Sequence, residues 1–218
     1  MIDLHTHSFH SDGELIPSEL VRRALVVGYR AMAITDHGDH SNVHLILPGI
    51  VAVCKKLSEA YGMPILPGIE LTHVPPIYIR ELAEEARGRG AKIIVVHGET
   101  LVEPVMEGTN RAALSAPIDI LAHPGLIGEE EALLAAQNSI CLEITTRKGH
   151  SLSNGHVAAM AKQYHVPLVL NTDTHESGNL TSRQMAEKVA RGAGMITEEI
   201  LTMFRNSENL VKKAMDAG

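Results

Sequence analysis

Thirteen histidines in a chain of 218 residues are the first chemical signal, because imidazole both carries protons near neutral pH and binds metals. Two of them form His5-Thr6-His7, a spacing that on a strand turns both rings to one face, where they can grip one ion. Asp12 follows, and His37, Glu70, His97, His123, Asp173 and His175 recur down the chain. Imidazole mixed with carboxylate suits Zn, Mn or Fe, whereas an all-oxygen set suits Mg or Ca. Nine ligand-type residues exceed the four that a structural zinc needs, and no cysteine stands among them, so they point to open positions for two or three divalent ions. Such a cluster brings the pKa of bound water toward neutrality, supplies a hydroxide nucleophile and clamps the attacking and leaving oxygens of a phosphoryl centre. Hydrolysis is the reaction class these residue types favour.

Each piece alone says little. An HxH pair is more often coincidence than a site, a lone histidine at a strand end is usually a hydrogen-bonded core or rim residue, and Glu70 by itself reads as a solvated loop carboxylate. Their positions relative to the secondary structure change this. Short Ile-, Val- and Leu-rich runs predict strands at about Ile2–His5, Ala31–Asp36, Ile65–Leu71, Lys92–His97, Ile118–His123, Ile140–Thr145 and Leu168–Asp173. Amphipathic stretches predict helices near Pro17–Val27, Val43–Tyr61, Ile77–Gly90, Glu129–Gln137, Asn154–Tyr164 and Thr181–Gly192, with one or two closing helices from Thr197 to Ala217. Pro17 suits the first turn of its helix, Gly28, Gly62 and Gly90 suit left-handed helix ends, and Thr181 to Gln184 reads as a capping box. Strands alternating with helices imply βαβ units and a parallel sheet. Seven such units with no linker predict a single-domain α/β fold, a (β/α)7 TIM-like barrel, although an open doubly wound sheet has the same periodicity. In a barrel, strand C-termini share one mouth. Six of the 13 histidines and three carboxylates fall there.

Composition narrows the partners. With 44% apolar and 21% charged residues, the chain is an ordinary globular one, and its length buries a core large enough to need no structural metal. A formal net charge of −7 without a basic stripe disfavours nucleic acid as the main partner, and 3% aromatics leave few stacking platforms for bases. A small anionic metabolite stays possible because bound cations reverse the local field. Cys54 and Cys141 read as two buried reduced thiols. No signal peptide and no spanning apolar run is visible, so a cytoplasmic enzyme without membrane contact is expected.

The ordered motifs His5-Thr-His7 with Ser11-Asp12-Gly13, Thr35-Asp36-His37-Gly38, Pro67-Gly68-Ile69-Glu70, His97-Gly98, Ala122-His123-Pro124 and Asn171-Thr172-Asp173-Thr174-His175 resemble the PHP (polymerase and histidinol phosphatase) family. The resemblance spans residues 2 to 175 and implies a distorted seven-stranded β/α barrel with a trinuclear metal centre. It implies that His5, His7, Glu70 and Asp173 hold one ion. Glu70 would bridge to a second ion shared with His97 and His123, and Asp12, His37 and His175 would hold a third. No ligand position is empty, which argues against a degenerate member.

The stretch Thr145 to His150 follows the sixth strand and falls on the same mouth. Arg147 is the expected phosphate clamp, because its planar fork matches phosphate oxygens. Lys148 is a weaker substrate contact, and His150 is a candidate general acid for the leaving oxygen. The long segment Gly98–Asn110 carries Glu99, Glu103 and Glu107, an acidic rim that would suit a substrate with an amine. His40 and His44 read as solvated helix residues and His10 as a cleft-rim residue. His73, His156 and His165 show no partner in the sequence, and Met160 and Met185 read as core packing. The leading expectation is hydrolysis of a small phosphomonoester in the manner of histidinol-phosphate phosphatase. The alternatives are a nucleotide or nucleic-acid phosphodiesterase and, from another class, a non-catalytic metal-binding module.

Overall fold

In the computed structural model, which describes residues 1–216, short buried strands alternate with helices along the chain. The strands are β1 (Ile2–Asp3), β2 (Ala31–Ile34), β3 (His37–Gly38), β4 (Ile65–Leu71), β5 (Ile93–His97), β6 (Ile120–Ala122), β7 (Cys141–Thr145) and β8 (Leu168–Asn171). The helices are α1 (Pro17–Val27), α2 (Val43–Tyr61), α3 (Ile79–Gly88), α4 (Thr109–Leu114), α5 (Glu129–Asn138), α6 (Asn154–Tyr164), α7 (Arg183–Gly192) and α8 (Thr197–Asp216). The strands are parallel and neighbour one another in the order β1-β2-β4-β5-β6-β7-β8, with β3 attached to β4. The two ends of this order also meet. The Asp173 amide donates to the His5 carbonyl (3.0 Å), and the His7 amide donates to the Thr174 carbonyl (2.8 Å). A nearly closed barrel of seven strands results, and the open-sheet alternative falls away.

Alternation along the strands decides what faces inward. On β5, Ile93 and Val95 join the inner apolar cluster while Ile94 and Val96 join the outer one. The same parity carries Glu70 inward with Leu66 on β4, Glu143 with Cys141 on β7, and Asp173 with Val169 beyond β8. Leu210, Val211 and Ala214 of α8 belong to the inner cluster as well, so α8 plugs the end of the barrel that holds the strand N-termini. The opposite end stays polar. The outer cluster packs the helices against the barrel, with Leu20, Leu47, Ile50, Leu82 and Leu114 fully buried.

Several boundaries differ from the sequence reading for identifiable reasons. The first strand stops at Asp3 because the Leu4 amide donates to the Asn171 side chain (2.8 Å). The second is interrupted at Thr35 and Asp36, and His37 lies in the separate β3. There the Thr35 amide turns to the Thr6 carbonyl (2.8 Å), and Asp36 accepts from the Ser8 amide and from the hydroxyls of Ser8 and Ser11. Residues Pro76–Tyr78 form a 3-10 turn before α3, which ends at Gly88. α7 begins at Arg183, not Thr181; its cap is Ser182, whose hydroxyl accepts from the Met185 amide. Met185 is 51% exposed and not in the core, because the buried face of α7 is built by Ala186 and Ala190. Met160 packs against the core. Helix α4, at the end of the Gly98–Asn110 segment, was not expected; its six residues are too few for a periodic pattern. The closing segment is the one helix α8, and Ala217 lies outside the described residues. Gly28 and Gly62 do adopt left-handed caps. Cys54 and Cys141 are buried free thiols, and burial pushes the Cys141 thiol up to about 12. Among the described residues no helix is long and apolar enough to cross a membrane.

Candidate metal centre

All nine sequence-predicted ligand residues come together at the strand C-termini. Glu70 stands at the centre. Its Oε1 lies 3.2 Å from His5 Nε2, 3.3 Å from His97 Nδ1 and 3.8 Å from His123 Nε2. Its Oε2 lies 2.7 Å from His37 Nδ1 and 3.6 Å from His7 Nε2. Asp173 faces the same rings from the other side, with Oδ1 at 3.2 Å from His7 Nε2 and 3.3 Å from His175 Nδ1, and Oδ2 at 3.7 Å from His123 Nε2. Asp12 reaches in from the loop after β1, 3.4 Å from His37 Nε2 and 3.2 Å from His175 Nε2. That loop depends on Gly13, where a Cβ would come within 2.6 Å of the His7 carbonyl oxygen.

Backbone conformation completes the aim. Ile120 and Ala122 of β6 face the barrel interior, so strict alternation would send His123 outward. Its left-handed φ of 28° breaks the alternation and the ring lies in the cluster instead. Asp173 is also left-handed, at φ 52°. Left-handed non-glycine residues are uncommon, and where they cluster they mark positions held by their surroundings for a purpose.

The donor set fits divalent ions. His5 Nε2, both nitrogens of His7, both nitrogens of His123 and His97 Nε2 are buried without a hydrogen-bond partner. Buried polar atoms are paired in all but a few cases, so six such nitrogens in one pocket need a common partner. The separations supply it: ligand atoms about 2.1 Å from one tetrahedral ion stand about 3.4 Å apart, and many of the contacts above lie near that distance without the alignment of a hydrogen bond. The candidate groupings are His7–Asp12–His37–His175, His5–His123–Asp173, His5–His7–Glu70 and Glu70–His97–His123, each with its ligand atoms within 4.8 Å.

Without ions the pocket is held by charge pairing. Burial opposes charge on His37, but Glu70 and Asp12 outweigh it and raise the ring to about 10. Burial likewise opposes charge on His97, which Glu103 and Glu70 raise to about 9. Burial would raise Glu70, yet His5 and His37 hold it well below the usual carboxylate range. Asp173 is low for the same reason, through His5 and His7 against burial. Burial keeps His7 down at about 4. It also keeps His123 low, helped by the charge on His97.

Three contributors were not singled out from the sequence, and a fourth, Glu103, was read only as part of an acidic rim. Glu143 is fully buried, and its Oε2 accepts from His5 Nδ1 (2.8 Å) and from the Asn171 amide group (2.9 Å). A carboxylate inside the apolar run Ile140 to Thr145 was the available signal, because a buried charge must be paired. Thr72 sits 2.6 Å from His37 Nδ1 through its hydroxyl. Asp36 braces the loop that carries His7. Glu103 bends from the supposed rim into the mouth, where the His97 ring, 3.1 Å from its Oε2, holds the carboxyl down at about 2. Glu99 instead pairs with Asn110 at the base of the same loop.

A cavity of about 280 Å³ opens over the cluster and is lined by Asp12, His37, His97, Glu103, Arg147 and His150 among others. Arg147 lies at its wall, with Nε 3.9 Å from Asp173 Oδ2 and its guanidinium donating to Asn179 Oδ1 (3.0 Å). Lys148 is exposed and does not line it. His150 is buried and stacks on His123 at 4.1 Å; its Nδ1 meets the Thr100 hydroxyl (2.7 Å), and burial lowers its pKa. His40 and His44 are exposed, as expected for solvated residues. His156 Nε2 lies 2.8 Å from the Ile127 carbonyl oxygen, and His165 caps α6 in a left-handed conformation. His10 is half-buried beside Phe9.

A parallel barrel with a pocket of histidines and carboxylates at its strand C-termini is the architecture of a TIM-like hydrolase. Residues 3–207 match the PHP domain family, and the chain belongs to it. It is 45% identical to an uncharacterized protein of Methanocaldococcus jannaschii over 97% of this chain and 98% of that one. It is 28% identical to ribonuclease P protein component 3 of Methanosarcina mazei, over 93% and 85%. It is also 28% identical to a probable phosphatase of a Thermoanaerobacter species, over 92% and 89%. Among solved structures, archaeal ribonuclease P with mature tRNA contains a chain with a TM-score of 0.68 at 17% identity, covering 96% of this chain and 91% of that one. Histidinol phosphate phosphatase from Lactococcus lactis, complexed with Zn, L-histidinol and phosphate, gives 0.63 at 17% identity, covering 89% and 94%. These neighbours share the fold, and the family with its phosphatase-named relatives supports a phosphoesterase.

Proposed function

We propose that the protein is a metal-dependent phosphomonoesterase acting on a small phosphorylated metabolite. The observation that carries this is the set of buried, unpartnered imidazole nitrogens of His5, His7 and His123 turned toward Glu70 and Asp173. His5, His7, Glu70 and Asp173 would hold one ion, Glu70 with His97 and His123 a second, and Asp12, His37 and His175 a third. Ions of the Zn, Mn or Fe class bound there supply Lewis-acid polarisation of the phosphoryl group and activation of water. The protein's own groups do the rest. Arg147 at the cavity wall offers a guanidinium fork to the phosphate oxygens, with Lys148 available only from outside. The buried wall of imidazoles limits water around the phosphoryl group. His150, with Nδ1 held by Thr100 and Nε2 3.3 Å from Glu103 Oε1, lines the cavity and would deliver a proton to the leaving oxygen. The cavity is small for a ligand pocket, which supports a metabolite over a polymer, as does the neighbour that holds L-histidinol and phosphate.

A second reading, a nucleic-acid phosphodiesterase or binding role, draws on the ribonuclease P component 3 relative over 93% of the chain. The net charge of −7 counts against it. One experiment separates these readings: elemental analysis of the purified protein, then assay with Mn, Zn or Fe against p-nitrophenyl phosphate, its bis-ester and a panel of phosphorylated metabolites including histidinol phosphate. Release from a monoester supports the proposal, preference for the bis-ester supports the second reading, and silence with every metal leaves a binding module.

A further inference from the structure

The lip of the mouth carries another convergence of ligand atoms, which shares only His97 with the nine. The loop after β5 is clasped at its base, where the Glu99 amide donates to Asn110 Oδ1 (3.0 Å) and the Asn110 amide donates to Glu99 Oε1 (2.9 Å). The Asn110 side chain also donates to the Pro124 carbonyl (2.9 Å). This clasp sets Glu103 over the mouth, with Oε2 3.1 Å from His97 Nε2 and 3.2 Å from His73 Nε2. His150 Nε2 flanks the group, 3.3 Å from Glu103 Oε1.

Three observations say that this is a site and not a chance contact. His97 is 3% exposed, its Nδ1 faces Glu70 and its Nε2 has no hydrogen-bond partner while pointing at Glu103. His73, two residues past the end of β4, is held left-handed at φ 53°, with its ring 5.3 Å from that of His97. The separations are those of atoms around one ion, about 3.4 Å for ligand bonds of about 2.1 Å, and the ligand atoms of all three residues lie within 4.8 Å.

We propose that His73, His97 and Glu103 form an outer divalent-cation site suited to a zinc-class ion, with two imidazoles, one carboxylate and solvent as ligands. His73 and Glu103 are its private ligands. His97 is shared with the inner cluster, so this inference rests on the reading of that cluster as a metal centre. An imidazole that faces an ion on each side must give up its second proton to solvent, which makes the outer ion the weakest bound.

The test is equilibrium dialysis of the full chain against Zn²⁺, with elemental analysis of the wild type, His73→Asn, and His73→Asn combined with Glu103→Gln. Asn tolerates the left-handed backbone at position 73, and both positions are solvent-accessible, so the fold is kept. The wild type should saturate with one more ion per chain than either variant, and that ion should be the first lost on dialysis. An equal, non-zero count in all three proteins would overturn the outer site and leave the inner cluster standing. A wild type that binds no ion overturns both.

Discussion

His5 and Glu143 stand 138 residues apart in the chain and 2.8 Å apart inside the barrel, Nδ1 to Oε2. The contact fixes which nitrogen of His5 is left to face Glu70 and Asp173. A carboxylate behind a ligating imidazole sets its tautomer and raises its basicity. Replacing Glu143 by Gln keeps an acceptor for the ring but removes the charge. The expected result is ion affinity weakened by about 10- to 100-fold in a protein with unchanged circular dichroism. Equilibrium dialysis measures it, and wild-type affinity in the variant would show that Glu143 only fills space.

Asp173 gives the cleaner test of the cluster itself. His5→Ala would strand the buried Glu143 carboxylate, and an unpaired buried charge costs about 3–5 kcal/mol, so lost activity there mixes folding with chemistry. Asp173→Asn keeps a residue at home in the left-handed region, where φ is 52°. It should fold, lose bound metal on dialysis and lose hydrolysis with it. Full activity with full metal content would contradict the assignment.

Arg147 tests substrate contact separately from metal. Its guanidinium is braced by Asn179, whose Oδ1 also accepts from the His175 amide (3.0 Å). Hydrogen bonds to charged groups contribute about 1.5–3 kcal/mol, so Arg147→Ala should raise KM for a phosphomonoester by roughly tenfold or more while leaving metal content intact. Arg147→Lys should restore little, because an ammonium lacks the fork. Unchanged KM in Arg147→Ala would remove the residue from the substrate site.

What could be read from the sequence was what repeats or pairs locally. The strand–helix alternation gave the parallel α/β order, with the choice of barrel over open sheet left to the contacts that join β1 to β8. His97 at the end of an apolar run gave its own placement by parity with Ile93 and Val95. What escaped needed the third dimension. His123 lies in the cluster through a backbone twist, not through alternation. Glu103 read as rim because its partners His73, His97 and His150 are spread over 78 positions, and nothing in its own neighbourhood signals an inward bend. Glu143 had a local signal, a charge inside an apolar strand, but its partner His5 lies at the other end of the chain. Met185 looked like core because its type is apolar, whereas the helix face is chosen by Ala186 and Ala190.

The pairing of charges in the ion-free pocket makes a prediction about pH. His37 at about 10 and His97 at about 9 are both protonated at pH 8, whereas an ordinary histidine, near 6.5, is neutral there. Glu70 and Asp173 are held low and carry no proton to lose. Ion binding requires neutral imidazole, so binding at pH 8 should release protons from these two rings and from His5, where burial opposes charge but Glu143 and Glu70 raise the ring well above its ordinary value. Apparent affinity should rise with pH through about 9 to 10. The folded-state pKa values lie above the unfolded ones, so the stability these two rings give the ion-free protein is fully present below about 6.5. It fades as pH climbs through about 9 and 10. Calorimetric titration with Zn²⁺ at pH 8 in buffers of different ionisation enthalpy reads the released protons directly. Identical heats in all buffers would mean that the rings are already neutral and that Glu70 does not pair with them as the geometry requires.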